Sequence, residues 1–518
     1  MAKPVEPSRY SLLSASPWTV VLSIALAAAD NFAEPDLWIH MLTGQTTLRT
    51  GHIPRVDTYS YAAANMPWHN HEWLSQVALA FCYAHLGIFG LKLLKLAVTT
   101  ILIGALAIGI SATRASGQVQ RLTLIISAVA ISTQMQFRPQ LFTFMMMAVV
   151  MASLAIEVYR GRAVLWPLIP MFALWANFHG GYIVGLGAMA VATAVFFFQG
   201  FLLGDAARKT SAIRLGIITF GCAAATVINP FGVGLWMGVF HSVNDPLIRQ
   251  IVADWVPLPK LMLSMLRSDP SQLLSDAAPL LMFAAIVLFV ALAPDLEDAA
   301  LLAVATMFIG AAFWAARNVA VGVIAVTIPL ARHASLAFRR GSKAEPGAHP
   351  AASDGPPGWM LAICALAVAL VGGTFSNRLK TWKPVPVGAL SFMQQHNLHG
   401  NMLSQFEWGS WVLWHMGDSF KVYIDPRGEL VYSDKQERDY AIFFYGQSDQ
   451  LLDAYPHDFV LMGTQTKGAD IVRKDPRWHG LYTDQTGTLF GRAALPGEAP
   501  VTGNVGGIDG KPKDTYFP

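Results

Sequence analysis

The chain has 518 residues, of which 54% are hydrophobic and only 13% charged, with a net charge of +3 and a mean hydropathy of +0.43. Soluble domains carry about 25% charged residues, so half that density over this length argues for a bilayer as solvent. So small a net charge does not suggest nucleic acid as a partner, and the positive residues gather in a few loops where they report topology.

The run Trp18 to Ala29 imitates the apolar part of a signal peptide. Acidic Asp30, Glu34 and Asp36 follow where a small-residue cleavage site should stand, so with the preceding residues added the segment is expected to stay as a first span over 11–29. Further spans are predicted at 91–110, 122–136, 141–159, 164–177, 182–203, 213–228, 278–293, 299–315, 319–331 and 359–375, giving about 11 transmembrane helices. The cysteines Cys82, Cys222 and Cys364 lie in apolar stretches and fit neither metal nor disulfide spacing.

With the N-terminus in the cytoplasm, the cytoplasmic connections hold Arg114 and Arg121, Arg160 and Arg162, Arg208, Lys209 and Arg214, and Arg332, Arg339, Arg340 and Lys343. This requires 73–90 to lie in the plane of the outer interface, with Trp68 and Trp73 as headgroup-level anchors. The opposite end then collects the first outer loop (30–90), the turns at 137–140 and 178–181, the loop 229–276 and Arg317. Polar residues in tight interhelical turns are costly unless they line a cavity, so a site is expected there.

Residues 341–357, rich in Gly, Pro and Ala, read as a cytoplasmic linker before the last span. The chain therefore divides into a transmembrane domain over 1–376, a soluble extracytoplasmic α/β domain over 377–495 and a disordered tail over 496–518. Within the soluble domain, helices are predicted at 387–397 and 434–444, and strands at 421–425, 459–463, 480–483 and 488–492. Trp408, Trp411 and Trp414 recur every three residues, which suits either a packed helix stripe or a surface that stacks on a sugar. Asp425 and Arg427 at a strand end form either a ligand site or an ion pair closing a turn.

The first outer loop reads Asp30-Asn-Phe-Ala-Glu-Pro-Asp-Leu-Trp-Ile-His40, then Gly51-His-Ile-Pro-Arg-Val-Asp57, then Pro67-Trp-His-Asn-His-Glu-Trp-Leu74. An acidic pair just after the first span, with a second acidic motif ahead of a hydrophobic helix, resembles the GT-C superfamily of membrane glycosyltransferases. It is most similar to bacterial family 39 and the aminoarabinose transferases, in a branch with Glu-Pro-Asp-Leu-Trp, His-Glu-Trp-Leu and Arg-Pro-Gln. The departures are a Glu-Pro-Asp pair in place of adjacent acids, and His69-Asn-His-Glu-Trp73 where those relatives carry Pro-Pro.

The resemblance implies a polytopic α-helical membrane protein in the bacterial inner membrane with its C-terminal domain extracytoplasmic. It implies transfer of a sugar from a polyprenyl-phosphate donor to a glycan, lipid or protein acceptor on the outer face. Asp36 or Glu34 would be the base, and Arg138, Arg317, His179, His71, Glu72, Arg55 and His40 would contact substrate. Chemistry agrees: a carboxylate must take the acceptor's proton, and the leaving phosphate needs cationic or N–H donors. In-line geometry puts roughly 7 to 12 Å between the catalytic carboxylate and the guanidinium of Arg138 or Arg317.

No cofactor is required by this chemistry. The alternative is a divalent metal, because helical Asp36 and His40 would share a face, with His69, His71 and Glu72 nearby. The competing functions are a transporter or flippase of lipid-linked glycans and a non-catalytic scaffold of the same fold.

Overall fold

The computed structural model describes residues 17–29, 31–161, 164–238, 255–260, 262–263, 273–341, 379–381, 384–493, 501–502 and 516–517. The linker 341–357 and the span 359–375 lie almost wholly outside them. After α1 (Pro17–Ala28) come the short strand β1 (Phe32–Ala33), α2 (Leu37–Thr50) and α3 (Trp73–Ala112). The bundle continues with α4 (Gly117–Ser132), α5 (Gln140–Arg160), α6 (Leu168–Phe178), α7 (Tyr182–Phe197), α8 (Ala206–Ala225), α9 (Leu273–Leu292), α10 (Ala299–Trp314) and α11 (Val319–Gly341).

Among the described residues, Trp73–Ala112, Gln140–Arg160, Tyr182–Leu202 and Ala316–Arg340 are long and apolar enough to cross a membrane by length and composition. Pro17–Ala28, Leu168–Phe178, Ala277–Leu292 and Ala299–Trp314 are shorter apolar helices. The predicted spans 122–136 and 213–228 begin earlier, at Gly117 and Ala206, because an extended Ser116 precedes α4 and the Asp205 side chain caps α8 at Arg208 N. The helix predicted over 319–331 runs on to Gly341 as α11, whose added turns carry Arg332, His333, Arg339 and Arg340.

α3 breaks at Gly87, where φ 59° and ψ −146° suit glycine and no side-chain-bearing residue. The break separates the stretch packed on α2 from the long apolar stretch behind it, close to the boundary expected at residue 90. Lys92 and Lys95, counted in the apolar span 91–110, are both buried, and Lys95 Nζ lies 5.0 Å from the Phe137 ring.

Of the basic residues that the charge pattern groups together, Arg160, Arg208, Arg214, Arg332 and Arg339 meet at one end of the bundle. There Arg332 bonds Asp295, Glu297 and the Thr113 carbonyl, Arg160 bonds the Ser111 carbonyl, and Arg208 bonds the Glu297 carbonyl. Arg214 pairs with buried Glu157.

The C-terminal part contains β2 (Leu379–Thr381), α12 (Val387–Gln395), β3 (Gly400–Ser404), α13 (Phe406–Met416), β4 (Phe420–Val422), α14 (Asp434–Phe444), α15 (Leu451–Ala454), β5 (Phe459–Gly463), α16 (Lys467–Lys474), β6 (His479–Thr483), β7 (Gly487–Gly491), β8 (Val501–Thr502) and β9 (Tyr516–Phe517). The main sheet has the order β4-β3-β5-β7-β6-β8, parallel across β4, β3 and β5 and antiparallel across β5, β7 and β6. β8 and β9 belong to the tail expected to be disordered: β8 joins β6 in the main sheet and β9 joins β2.

The first outer loop is built into this domain. β1 pairs with β2, Ser60 bridges to Val422, and Leu37, Trp38 and Met41 share a core with Trp408, Trp411 and Val412. The tryptophan repeat of α13 is thus a packed stripe, with Trp408 and Trp411 buried and Trp414 meeting Tyr83. Trp68, expected at the headgroup level, is instead a core residue beneath the Arg427 guanidinium at 4.9 Å.

Candidate active site

Two helix beginnings face each other at the end of the bundle that carries the sheet domain. Asp36 starts α2, where its carbonyl accepts from His40 N at 3.0 Å. One turn on, His40 Nε2 stands 3.7 Å from Asp36 Oδ2. Glu72 immediately precedes α3, whose first turn is pinned from the side. Trp73 Nε1 donates to Asn177 Oδ1 at 2.8 Å, Asn177 Nδ2 donates to the Ile228 carbonyl at 2.8 Å, and Ser75 donates to the Phe178 carbonyl.

These supports aim Glu72 at three imidazoles. Its Oε1 lies 3.5 Å from His179 Nε2 and 3.8 Å from His71 Nε2, and its Oε2 lies 3.8 Å from His40 Nδ1. All three separations exceed a hydrogen bond. The His179 tautomer follows from its other nitrogen. Gly181 N–H donates to Nδ1 at 2.9 Å, and Thr143, which accepts from Trp175 Nε1 at 3.0 Å, turns its hydroxyl hydrogen to the same Nδ1 at 2.8 Å. A neutral ring therefore carries its proton on Nε2, toward Glu72. Burial keeps the ring neutral by pushing its pKa well below the usual range, with the charges of His71, Arg317, Arg138 and His40 adding to the effect.

Asp36 and Arg138 form a direct ion pair, Nε to Oδ2 at 2.9 Å, where 7 to 12 Å was expected. Both side chains are mostly withdrawn from water, and each charge is compensated by the nearest opposite one. Burial alone would raise the Asp36 pKa, but Arg138 and His40 outweigh it and hold the carboxyl below the usual range. Asp36 Oδ1 is buried with no hydrogen-bond partner. Burial would lower the His40 pKa, yet Asp36 and Glu72 together raise it.

Arg317 stacks over Trp255 at 4.4 Å and is close enough to act on His179. The structure therefore brings together Asp36, His40, His71, Glu72, Arg138, His179 and Arg317. Arg55 goes elsewhere: it donates to the Pro230 carbonyl at 3.2 Å and lies 5.7 Å from the Phe231 ring, which His69 also meets. Glu34 is half-buried ahead of α2, where its carbonyl accepts from Leu37 N. Asp425 and Arg427 form the ion pair of the two readings: Arg427 pairs with Asp425 and, at 2.6 Å, with Asp57 of the first loop.

Sequence reasoning missed Asn70, Gln76 and Thr143. Asn70 Nδ2 donates to Gln76 Oε1 at 2.7 Å, and Gln76 Nε2 reaches His40 Nδ1 at 3.5 Å. Gln76 follows Glu72 by one helical turn, a spacing that could have marked it. Among the described residues, no group of three or more His, Cys, Asp or Glu is arranged to hold a metal ion.

No protein-family model matches the chain, and no curated protein matches its sequence. Solved structures do. The oligosaccharyltransferase of Archaeoglobus fulgidus in its apo form superposes with a TM-score of 0.57 at 12% identity, covering 88% of this chain and 70% of that one. The same enzyme tethered to an acceptor peptide containing the NVT sequon gives 0.51 at 12% identity, covering 87% and 69%. The chain shares the fold of that oligosaccharyltransferase. This fold is of the GT-C type, which agrees at that coarse level with the resemblance carried by the first outer loop. Identity this low speaks for the fold alone, and it does not single out family 39 or the aminoarabinose transferases.

Proposed function

We propose that this protein is a membrane glycosyltransferase that moves a sugar from a polyprenyl-phosphate donor to an acceptor at the outer face of the membrane. The observation that carries the reading is the gathering of two carboxylates, two guanidiniums and three imidazoles at one end of an apolar bundle, on a fold shared with an oligosaccharyltransferase. Glu72 takes the proton from the acceptor hydroxyl as the acceptor oxygen bonds to the anomeric carbon. The bond from that carbon to the phosphate oxygen breaks, and the lipid phosphate leaves with the electron pair. Arg138 and Arg317 stabilise the charge that grows on the phosphate.

Glu72 suits the base better than Asp36 because Asp36 Oδ2 is already engaged by Arg138 and its pKa is depressed. Asp36 holds Arg138 and His40 in place. Purified protein in liposomes with a polyprenyl-phosphate sugar tests this. Glu72→Gln should reduce transfer on the order of 100-fold or more, while donor binding persists. Asp36→Asn should weaken donor binding as well, through Arg138, and Glu34→Gln should stay near the unmodified rate. Full transfer in both the Glu72 and Asp36 variants would defeat the mechanism. Movement of the lipid-linked sugar across the bilayer without product would point to a transporter instead.

A further inference from the structure

Far from the candidate site, α7 and α8 pack side by side, with Thr193 and Thr219 hydroxyls 3.2 Å apart, and frame an apolar groove of about 460 Å3 on the flank of the bundle. Phe197, Phe201, Ile213, Gly216, Ile217 and Phe220 line it. Its shape has local causes. α7 widens into a π-helical turn over Phe198–Leu202, which turns Phe197 and Phe201 outward as a stacked pair 4.6 Å apart. Gly216 leaves the floor open opposite Thr193, since even a Cβ there would sit at ordinary contact distance, 3.6 Å, from the Thr193 methyl.

One end of the groove is cationic. Lys209 Nζ lies 4.9 Å from the ring of Phe201, a groove residue, and Arg208 stacks on the neighbouring Phe196 at 4.9 Å. Arg208 is held there by the Glu297 carbonyl at 3.0 Å, whereas Lys209 has no carboxylate partner among the described residues. The two cations start α8 at the end of the bundle opposite the candidate site, amid the arginines that meet there.

We infer that this groove binds one anionic phospholipid, with an acyl chain between α7 and α8 and its phosphate at Lys209 and Arg208. An apolar groove on the flank of a bundle forfeits contact energy unless a chain fills it, and an acyl chain meets that need in a bilayer. The cations supply the headgroup preference: each basic residue near an anionic membrane surface favours binding by about fivefold. A zwitterionic lipid fills the groove equally well and gains little at Lys209, so charge complementarity selects the occupant. The assignment concerns a face remote from the transfer site and stands whether or not the chain is a glycosyltransferase.

Native mass spectrometry of the purified full chain tests it, with phosphatidylglycerol and phosphatidylcholine of identical acyl chains titrated in competition. One phosphatidylglycerol should be retained with at least about tenfold preference, as two such cations imply. Lys209→Gln alone should lower the preference severalfold, and Arg208→Gln with Lys209→Gln should reduce it to within about twofold. Gly216→Leu should weaken retention of both lipids by filling the floor. Equal retention of the two lipids by the unmodified chain, or an unchanged preference in the double variant, would overturn the inference. So would a polyprenyl phosphate that displaces phosphatidylglycerol from this groove more effectively than phosphatidylglycerol itself.

Discussion

Arg427 derives its meaning from partners that lie far apart in sequence. Its guanidinium spans Asp425, two residues away, and Asp57 of the first outer loop, with both carboxylates fully buried and Tyr432 donating to Asp425 at 2.7 Å. Removing the cation leaves two buried acids without compensation. Arg427→Gln should therefore lower stability by about 3–5 kcal/mol, read from denaturant unfolding of the purified chain. A loss under 1 kcal/mol would mean that the cluster is solvated and does not hold the loop to the domain. His457 offers a pH-dependent counterpart at the same junction. Its Nε2 donates to the Leu451 carbonyl at 2.8 Å, so its Nδ1 accepts from the Tyr61 hydroxyl and the ring is neutral. Burial holds its pKa down at about 4. The unfolded ring binds a proton near pH 6.5 and the folded ring only near 4, so stability must fall as pH drops across that window, by about 3 kcal/mol. His457→Asn should flatten that part of the stability profile, and an equally steep fall in the variant would show that other groups cause it.

Among the elements, α2 and α3 decide whether Asp36, His40 and Glu72 can meet. They cross closely at Gly44, where a Cβ would lie 2.1 Å from the Gln76 carbonyl oxygen. Gly44→Ala should wedge α2 away from α3, costing about 1–3 kcal/mol. It should lower transfer more than tenfold, since small displacements of positioned groups are expensive. Unchanged activity would show that the crossing does not set the site. Elements were legible where a local signal existed. α14 starts at a capping box formed by Ser433 and Gln436 and matches the predicted 434–444, and β5 matches 459–463. β3 escaped notice because Gly400 to Ser404 has no alternation, as expected of a strand flanked on both sides in the parallel part of a sheet. α16 is only 8 residues long and mostly polar, burying only Gly468, Ala469 and Val472, so it offered little apolar sequence to read. The candidate site was legible in its residue types, since the acids, histidines and arginines of the turns stood out in an apolar chain. The Asp36–Arg138 contact was not, because it depends on how α2 docks against the turn before α5.

The whole molecule is polarised along the bundle. One end gathers the described arginines of the interhelical connections with Lys209, and the other gathers the candidate site, the first outer loop and the sheet domain that shares its core. Such an arrangement fits a membrane protein whose basic loops stay in the cytoplasm. It also links the two proposals, because the lipid groove and the transfer site would then face opposite leaflets. Cysteine accessibility decides the sidedness. In a background with Cys82, Cys222 and Cys364 replaced by alanine, Gln447→Cys in the sheet domain and Thr210→Cys at the start of α8 each place a thiol at an exposed position. A membrane-impermeant maleimide should label Gln447→Cys in intact spheroplasts, and Thr210→Cys only after the membrane is permeabilised. The reverse pattern would put the carboxylates, imidazoles and guanidiniums on the cytoplasmic side, where an acceptor at the outer face could not reach Glu72. Labelling of both positions in intact cells would contradict the bundle as a membrane-crossing unit, because Thr210 and Gln447 sit at its opposite ends.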